Sequence, residues 1–201
     1  MHLKCCEHPK RIRNPYLNKD VVVPCGKCNS CLQNKAMRYI SAIRRERACW
    51  KYCLFVTLTY DNFNVPVLSR NGDCFFPKDI KHINPEQDNI FIDVNDLENN
   101  ERDLKFISKQ PYLLCLSPYD LQKFIKRYRS NLERYCAKNG YDKNKSAKVR
   151  YFGVGEYGET LYRPHYHVLF FFNTDVPSSK ILELVRESWK FGIVDASFVA
   201  D

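Results

Sequence analysis

The chain has 201 residues, 44% of them hydrophobic with 13 Phe and 13 Tyr, which is material for one full domain with its own core and a small appendage. Its 32 Lys and Arg against 23 Asp and Glu leave a net charge of +9, so an anionic partner is expected, and nucleic acid is the default one. No apolar run approaches the roughly 20 residues of a membrane span, and Met1 to Arg13 lacks the apolar centre of a secretory signal; both predict an intracellular, reducing location, where closely spaced cysteines bind metal more often than they pair.

Residues 1–24 show no period beyond the apolar run Val21-Val22-Val23. Cys25-x-x-Cys28-x-x-Cys31 then places three thiols within one tight turn, eased by Gly26. A soft tetrahedral metal needs a fourth donor, and Cys5, Cys6 or His8 on the preceding arm can supply it; Cys6 is taken with the other three as the set. Structural Zn²⁺ is the reading of this cluster, with ordinary reduced thiols or an iron–sulfur cluster as alternatives. A helix is predicted over 31–47, with Leu32, Ala36, Tyr39, Ile40 and Ile43 along one side and Lys35, Arg38, Arg44, Arg45 and Arg47 making the rest cationic. Lys35 and Arg38 are candidate DNA contacts. Cys49, Cys53, Cys115 and Cys136 read as small core residues, and Cys74 is indeterminate.

Leu54 to Tyr60 has the β-branched and aromatic character of a central strand. Residues 61–110 read as an insertion with a hairpin or two, marked by Cys74-Phe75-Phe76 and Ile90-Phe91-Ile92. Ser117 to Asn139 is a helix: Ser117 caps it, Pro118 takes the first position, Leu121, Phe124, Ile125, Tyr128, Leu132 and Tyr135 form its stripe, and Gly140 stops it. Lys143 to Lys148 is a basic turn. Val149–Gly155 and His165–Phe172 are strands joined through Glu156–Pro164, the second expected to be buried on both faces. Ser178 or Ser179 caps a helix to Trp189, and Ile193–Val199 begins another strand. This order predicts an α+β fold, a mainly antiparallel sheet with helices on one face and the other face left for a site. Two segments are expected: 1–48, Cys-rich and ending in the basic helix, and 49–201.

His165 and His167 alternate onto one face of their strand, about 7 Å apart along it. Two imidazoles on a rigid strand are either satisfied structural histidines or a preformed pair of metal ligands. If the two strands pair as a hairpin, Glu156 lies beside His165 and completes a ligand set; Glu159 is the alternative. Two imidazoles, one carboxylate and open positions suit Mg²⁺, Mn²⁺ or Zn²⁺ as a Lewis acid. Arg163 is placed to steady a phosphate.

Phe55-Val56-Thr57-Leu58-Thr59-Tyr60, a long insertion, Glu156-Tyr157-Gly158 and Arg163-Pro164-His165-Tyr166-His167 resemble the first two motifs of HUH-type rolling-circle replication initiators, and within them those of the small single-stranded DNA phages of the Microviridae, the gokushovirus group. The cysteine-rich leader running into a basic helix is similar too. The resemblance implies an HUH endonuclease core and an Mg²⁺ or Mn²⁺ ion at His165, His167 and a carboxylate. It also implies nicking and rejoining of single-stranded origin DNA through a 5′-phosphotyrosyl bond, in the host bacterial cytoplasm and alongside host replication proteins. Thr57 and Thr59 are expected to face the site or the DNA. The family's nucleophilic tyrosine follows the histidines, yet no tyrosine follows His167 here. That predicts a third motif missing by truncation or a nucleophile elsewhere, Tyr39 being the candidate. A non-catalytic single-stranded nucleic-acid binder, or an inactive truncated initiator, is the competing expectation.

Overall fold

A computed structural model describes residues 5–69, 74–76, 112–158 and 163–200. The chain divides into two compact units, Met1–Cys49 and Trp50–Asp201. Among the described residues no helix is long and apolar enough to cross a membrane.

In the first unit Lys10–Asn14 (β1) and Lys19–Val23 (β2) form an antiparallel hairpin, followed by the helix Asn29–Arg47 (α1). The hairpin turns because the Asn14 side-chain oxygen accepts the backbone N–H groups of Tyr16 and Leu17 at 2.9 and 3.0 Å, and Asn18 adopts φ +47°. It escaped the sequence reading because neither face is buried enough to impose alternation. The apolar side of α1 is not a core face: Leu32, Ala36, Tyr39 and Ile40 are exposed, and Cys31 is the single buried side chain among the unit's described residues. Cys49, expected in a core, is exposed and donates to the Arg45 carbonyl instead. A unit this small without an apolar core needs another source of order.

In the second unit Tyr52–Tyr60 (β3) leads into a small sheet of Val67–Ser69 (β4), Cys74–Phe75 (β5) and Tyr112–Leu114 (β6), in the order β5-β4-β6. Ile90-Phe91-Ile92 lies outside the described residues. Then come Pro118–Lys138 (α2), the single turn Lys143–Ser146 (α3), Val149–Tyr157 (β7), Pro164–Phe172 (β8), Ser178–Ser188 (α4) and Gly192–Phe198 (β9). β7, β8, β3 and β9 make one antiparallel sheet in that order. With the two helices packed on it, this is the α+β architecture expected from the order of elements.

Alternation decides the two faces. Leu54, Val56, Leu58 and Tyr60 of β3 and Tyr166, Val168, Phe170 and Phe172 of β8 are buried in one cluster with Phe124, Tyr128 and Leu132 of α2 and Ile181 and Val185 of α4. Ser117 caps α2, accepting the Asp120 N–H at 3.4 Å, and Pro118 opens it. Neither Ser178 nor Ser179 caps α4; both lie inside it, and the Pro177 carbonyl closes its first turn through the N–H groups of Lys180 and Ile181. β8 is not buried on both faces throughout: Phe170–Phe172 are, but His165, His167 and Leu169 are only half-buried. Among the described residues of this unit, helices cover one side of the histidine end and leave the other open.

A buried polar knot ties the sheet to α2. The Tyr60 hydroxyl donates to Asp120 at 3.0 Å and lies 3.3 Å from the Tyr166 hydroxyl, and burial pushes both phenols up from their ordinary pKa. At the start of β9, Gly192 takes φ +147°, and a Cβ there would lie 2.4 Å from the Asp61 nitrogen and the Thr59 oxygen. Gly192→Ala is therefore expected to destabilise the second unit by about 3 kcal/mol. Urea denaturation checks this, and an unchanged midpoint would contradict the close approach of β9 to the end of β3.

Candidate functional site

On the open face the register sets side chains in rows across the strands. Glu156, His165 and Thr59 share one row with Ile193; Val154, His167 and Thr57 share the next with Asp195. The hairpin pairing on which Glu156 depended is thus present, and it brings Glu156, His165 and His167 together, with ligand atoms within 4.8 Å of one another. Glu159 lies outside the described residues.

Both imidazoles aim Nε2 at the same carboxylate oxygen. Glu156 Oε1 lies 2.9 Å from His165 Nε2 and 3.2 Å from His167 Nε2, and the two rings stand edge to face with centroids 4.9 Å apart. His165 Nδ1 lies 3.1 Å from the Arg163 carbonyl oxygen, which can only accept, so Nδ1 carries the proton. In the neutral ring the Nε2 lone pair then faces a carboxylate oxygen, an opposition that a second ring proton or a metal cation between them relieves. The hydrogen bond from His165 holds the Glu156 carboxyl below its ordinary range, so it stays ionised through neutral pH. The Glu156 side chain is 55% exposed against 16% for His165, so the cluster opens to solvent on the carboxylate side. Nitrogen and oxygen donors with open positions fit Mg²⁺ or Mn²⁺.

His167 is oriented from two directions. Its Nδ1 lies 3.1 Å from the Thr57 hydroxyl, and its ring stacks on Phe55 at 5.2 Å with the planes 17° apart. The Thr57 hydroxyl thus lies against the His167 imidazole on the open face. Thr59 stands beside His165 on the ladder. Thr57→Val is expected to weaken Mn²⁺ binding about tenfold, with Thr57→Ser restoring it, because a hydrogen bond that fixes a ligand's tautomer tunes affinity on that scale. Calorimetric titration reads both; equal affinities for the Val variant and wild type would show that the hydroxyl orients nothing.

Arg163 is engaged differently from expectation. Its Nε donates to the Tyr60 carbonyl at 2.8 Å, Nη2 donates to the same oxygen, and Nη1 donates to Asn62 at 2.8 Å; burial lowers its pKa. The guanidinium tethers the end of β3, while its own carbonyl positions His165. That main-chain role carries no sequence signal. Asp195, also unremarked in the sequence, is exposed on the same face in the row of Thr57 and His167, and the alternation of β9 was the sign of it. By the same alternation Tyr52, Tyr60, Tyr151, Tyr157 and Tyr166 point away from the histidines. Lys35, Arg38 and Tyr39 are exposed on α1 in the first unit.

The second cluster lies wholly within that unit. Cys6, Cys25, Cys28 and Cys31 bring their sulfurs within 4.8 Å of one another, so Cys6, rather than Cys5 or His8, joins the set. Two of the pairs, Cys6–Cys28 and Cys25–Cys31, are each 3.9 Å apart. A tetrahedron of zinc–sulfur bonds of about 2.3 Å has edges of about 3.8 Å. Backbone N–H groups of Lys27 and Cys28 pull the Cys25 thiol down to about 6, and that of Glu7 lowers Cys28. The Gly26 N–H also pulls on Cys31, but burial and the neighbouring sulfurs push it up to about 12. A divalent cation at the centre is the charge that lets all four ionise together. The donor set and spacing fit zinc. Glu7 fastens the arm to α1, accepting the Ser30 N–H at 3.2 Å and its hydroxyl at 2.7 Å.

Comparison with known proteins places the chain in a family. A family model described as replication-associated protein ORF2 matches residues 53–201. The replication-associated protein VP4 of Bdellovibrio phage phiMH2K is 25% identical over 183 residues, which cover 86% of this chain and 42% of that relative's length. No solved structure matches. With residues 53–201 of its 201 inside the family model, the chain belongs to the ORF2 family of replication-associated proteins.

Proposed function

We propose that this chain is a phage replication initiator that nicks and rejoins single-stranded origin DNA by metal-dependent transfer of a phosphodiester to a tyrosine, in the host bacterial cytoplasm. The observation that supports it best is the convergence of His165 Nε2, His167 Nε2 and Glu156 Oε1 on an uncovered sheet face. Those three atoms would hold Mg²⁺ or Mn²⁺. When bound, such an ion stabilises charge developing on the phosphoryl oxygens. The Arg163 carbonyl and Thr57 keep the imidazoles aimed, and Phe55 closes one side of His167. In the transfer a phenol oxygen bonds to phosphorus as the bond to the 3′-oxygen breaks, and the proton lost by the phenol ends on the leaving hydroxyl. The ester retains the energy of the broken bond, so rejoining needs no nucleotide.

Tyr39, 47% exposed on α1, is the proposed nucleophile. Tyr52, Tyr60, Tyr151, Tyr157 and Tyr166 point the other way, and Tyr60 and Tyr166 are held protonated by burial. That orientation also favours a second reading, a single-stranded DNA binder without catalysis. Incubating a labelled single-stranded origin fragment with Mn²⁺ and either wild type or His165→Ala separates the two. Cleavage by wild type alone supports the nuclease; salt-sensitive binding without cleavage by either supports the binder. For the cysteine cluster we propose a structural Zn²⁺ at Cys6, Cys25, Cys28 and Cys31.

A further inference from the structure

The hairpin of β1 and β2 has no role in the site described above, and its construction is unusual for a purely structural element. A two-stranded hairpin is marginally stable alone, and this one buries no side chain, yet it is fastened at both ends. At its base, Cys6 lies four residues before β1 and Cys25 two residues after β2, so the thiol cluster pins the two strand ends together. At its tip, the Asn14 side chain holds the turn through the N–H groups of Tyr16 and Leu17. What is held out in this way is an aromatic ring: Tyr16 is 96% exposed, the highest exposure of any large hydrophobic residue described, with Leu17 beside it at 57%.

Charge surrounds that ring. The span Lys10–Val23 carries Lys10, Arg11, Arg13 and Lys19 against Asp20 alone, four cations less one anion. Arg11 and Arg13 share one face with Val22, which is 65% exposed, and Arg13 is steadied by Asn18 at 2.6 Å and lies 3.8 Å from Asp20. Cations along a strand and a bare aromatic at its end match a polyanion whose repeating units also offer flat faces for stacking. Single-stranded nucleic acid has that combination; a paired duplex keeps its base faces covered.

We infer that the hairpin is a second DNA contact in this protein, in which Tyr16 stacks on an unpaired base while Arg11 and Arg13 meet the neighbouring phosphates. The inference rests on the proposed DNA-processing role for its choice of polyanion, but not on cleavage. The zinc-loaded full chain, titrated into a fluorescein-labelled single-stranded oligonucleotide and followed by anisotropy, tests it. Tyr16→Ala is expected to weaken binding about tenfold, with Tyr16→Phe retaining wild-type affinity, since stacking needs the ring and not the hydroxyl. The Arg11→Ala, Arg13→Ala double variant is expected to flatten the slope of log affinity against log salt by about 1.4, at about 0.7 per phosphate on single strands.

Wild-type affinity in Tyr16→Ala would overturn the inference, and so would a loss confined to a blunt duplex of the same sequence. The same preparations assayed for nicking keep the two proposals apart. Tyr16→Ala binding like wild type while wild type cleaves refutes the hairpin contact and leaves the nuclease standing. Weakened binding by Tyr16→Ala without cleavage by wild type does the reverse.

Discussion

His165→Ala is expected to lower the rate of Mn²⁺-dependent cleavage of single-stranded origin DNA by at least about 100-fold, the scale on which losing one preorganised stabiliser of transition-state charge acts. The substitution removes the ligand whose geometry is most fully determined: Nδ1 is fixed by the Arg163 carbonyl and Nε2 lies 2.9 Å from Glu156. Its neighbours Tyr166 and Pro164 are buried on the other side of the strand, so the fold does not depend on the imidazole. The thermal midpoint is accordingly expected to stay within a few degrees of wild type. A variant that cleaved at the wild-type rate would show that the pair has a structural use only.

Cys28→Ser is expected to have the largest effect on folding. Zinc measured in protein purified without added metal should fall from about one ion per chain to near none, and limited proteolysis should then cut within residues 5–49 more readily than in wild type. The reason is that the first unit buries Cys31 alone among its described side chains, so binding energy of about 10–16 kcal/mol for a structural zinc stands where a hydrophobic core would be. Wild-type protein with no zinc, or a Cys28→Ser variant as protease-resistant as wild type, would contradict the assignment.

How much of this was legible in the sequence depended on burial. β3, α2 and α4 each bury one side, so their apolar periods were readable, and the parity that placed Phe55, Thr57 and Thr59 together followed from the period of a strand. In β8 the unbroken apolar run of Phe170–Phe172, buried on both faces, hid that the histidine end alternates. Glu156 could be placed beside His165 because the two strands are consecutive and pair directly. The β1–β2 hairpin left no such trace, since residues that bury nothing are under no constraint to alternate. The α1 stripe misled for the converse reason: Leu32, Tyr39 and Ile40 have helical spacing, but spacing cannot say whether a partner surface exists. The tethering of Tyr60 by Arg163 was hidden for another reason. An arginine beside a metal-ligand motif suggests an anion, and only coordinates reveal that carbonyl oxygens claim its fork first. Cys6 was one of three donors that spacing allowed, and the arm held by Glu7 and Ser30 selected it.

The proposed nuclease requires a cation between two histidines and a carboxylate, and manganese electron paramagnetic resonance addresses that directly. Mn²⁺, a hard ion, prefers the nitrogen and oxygen donors of Glu156, His165 and His167 to the four thiols. Zinc-replete wild-type protein is expected to bind about one Mn²⁺ per chain, and the His165→Ala, His167→Ala double variant essentially none. Equal manganese occupancy in the two proteins would show that Glu156, His165 and His167 hold no metal.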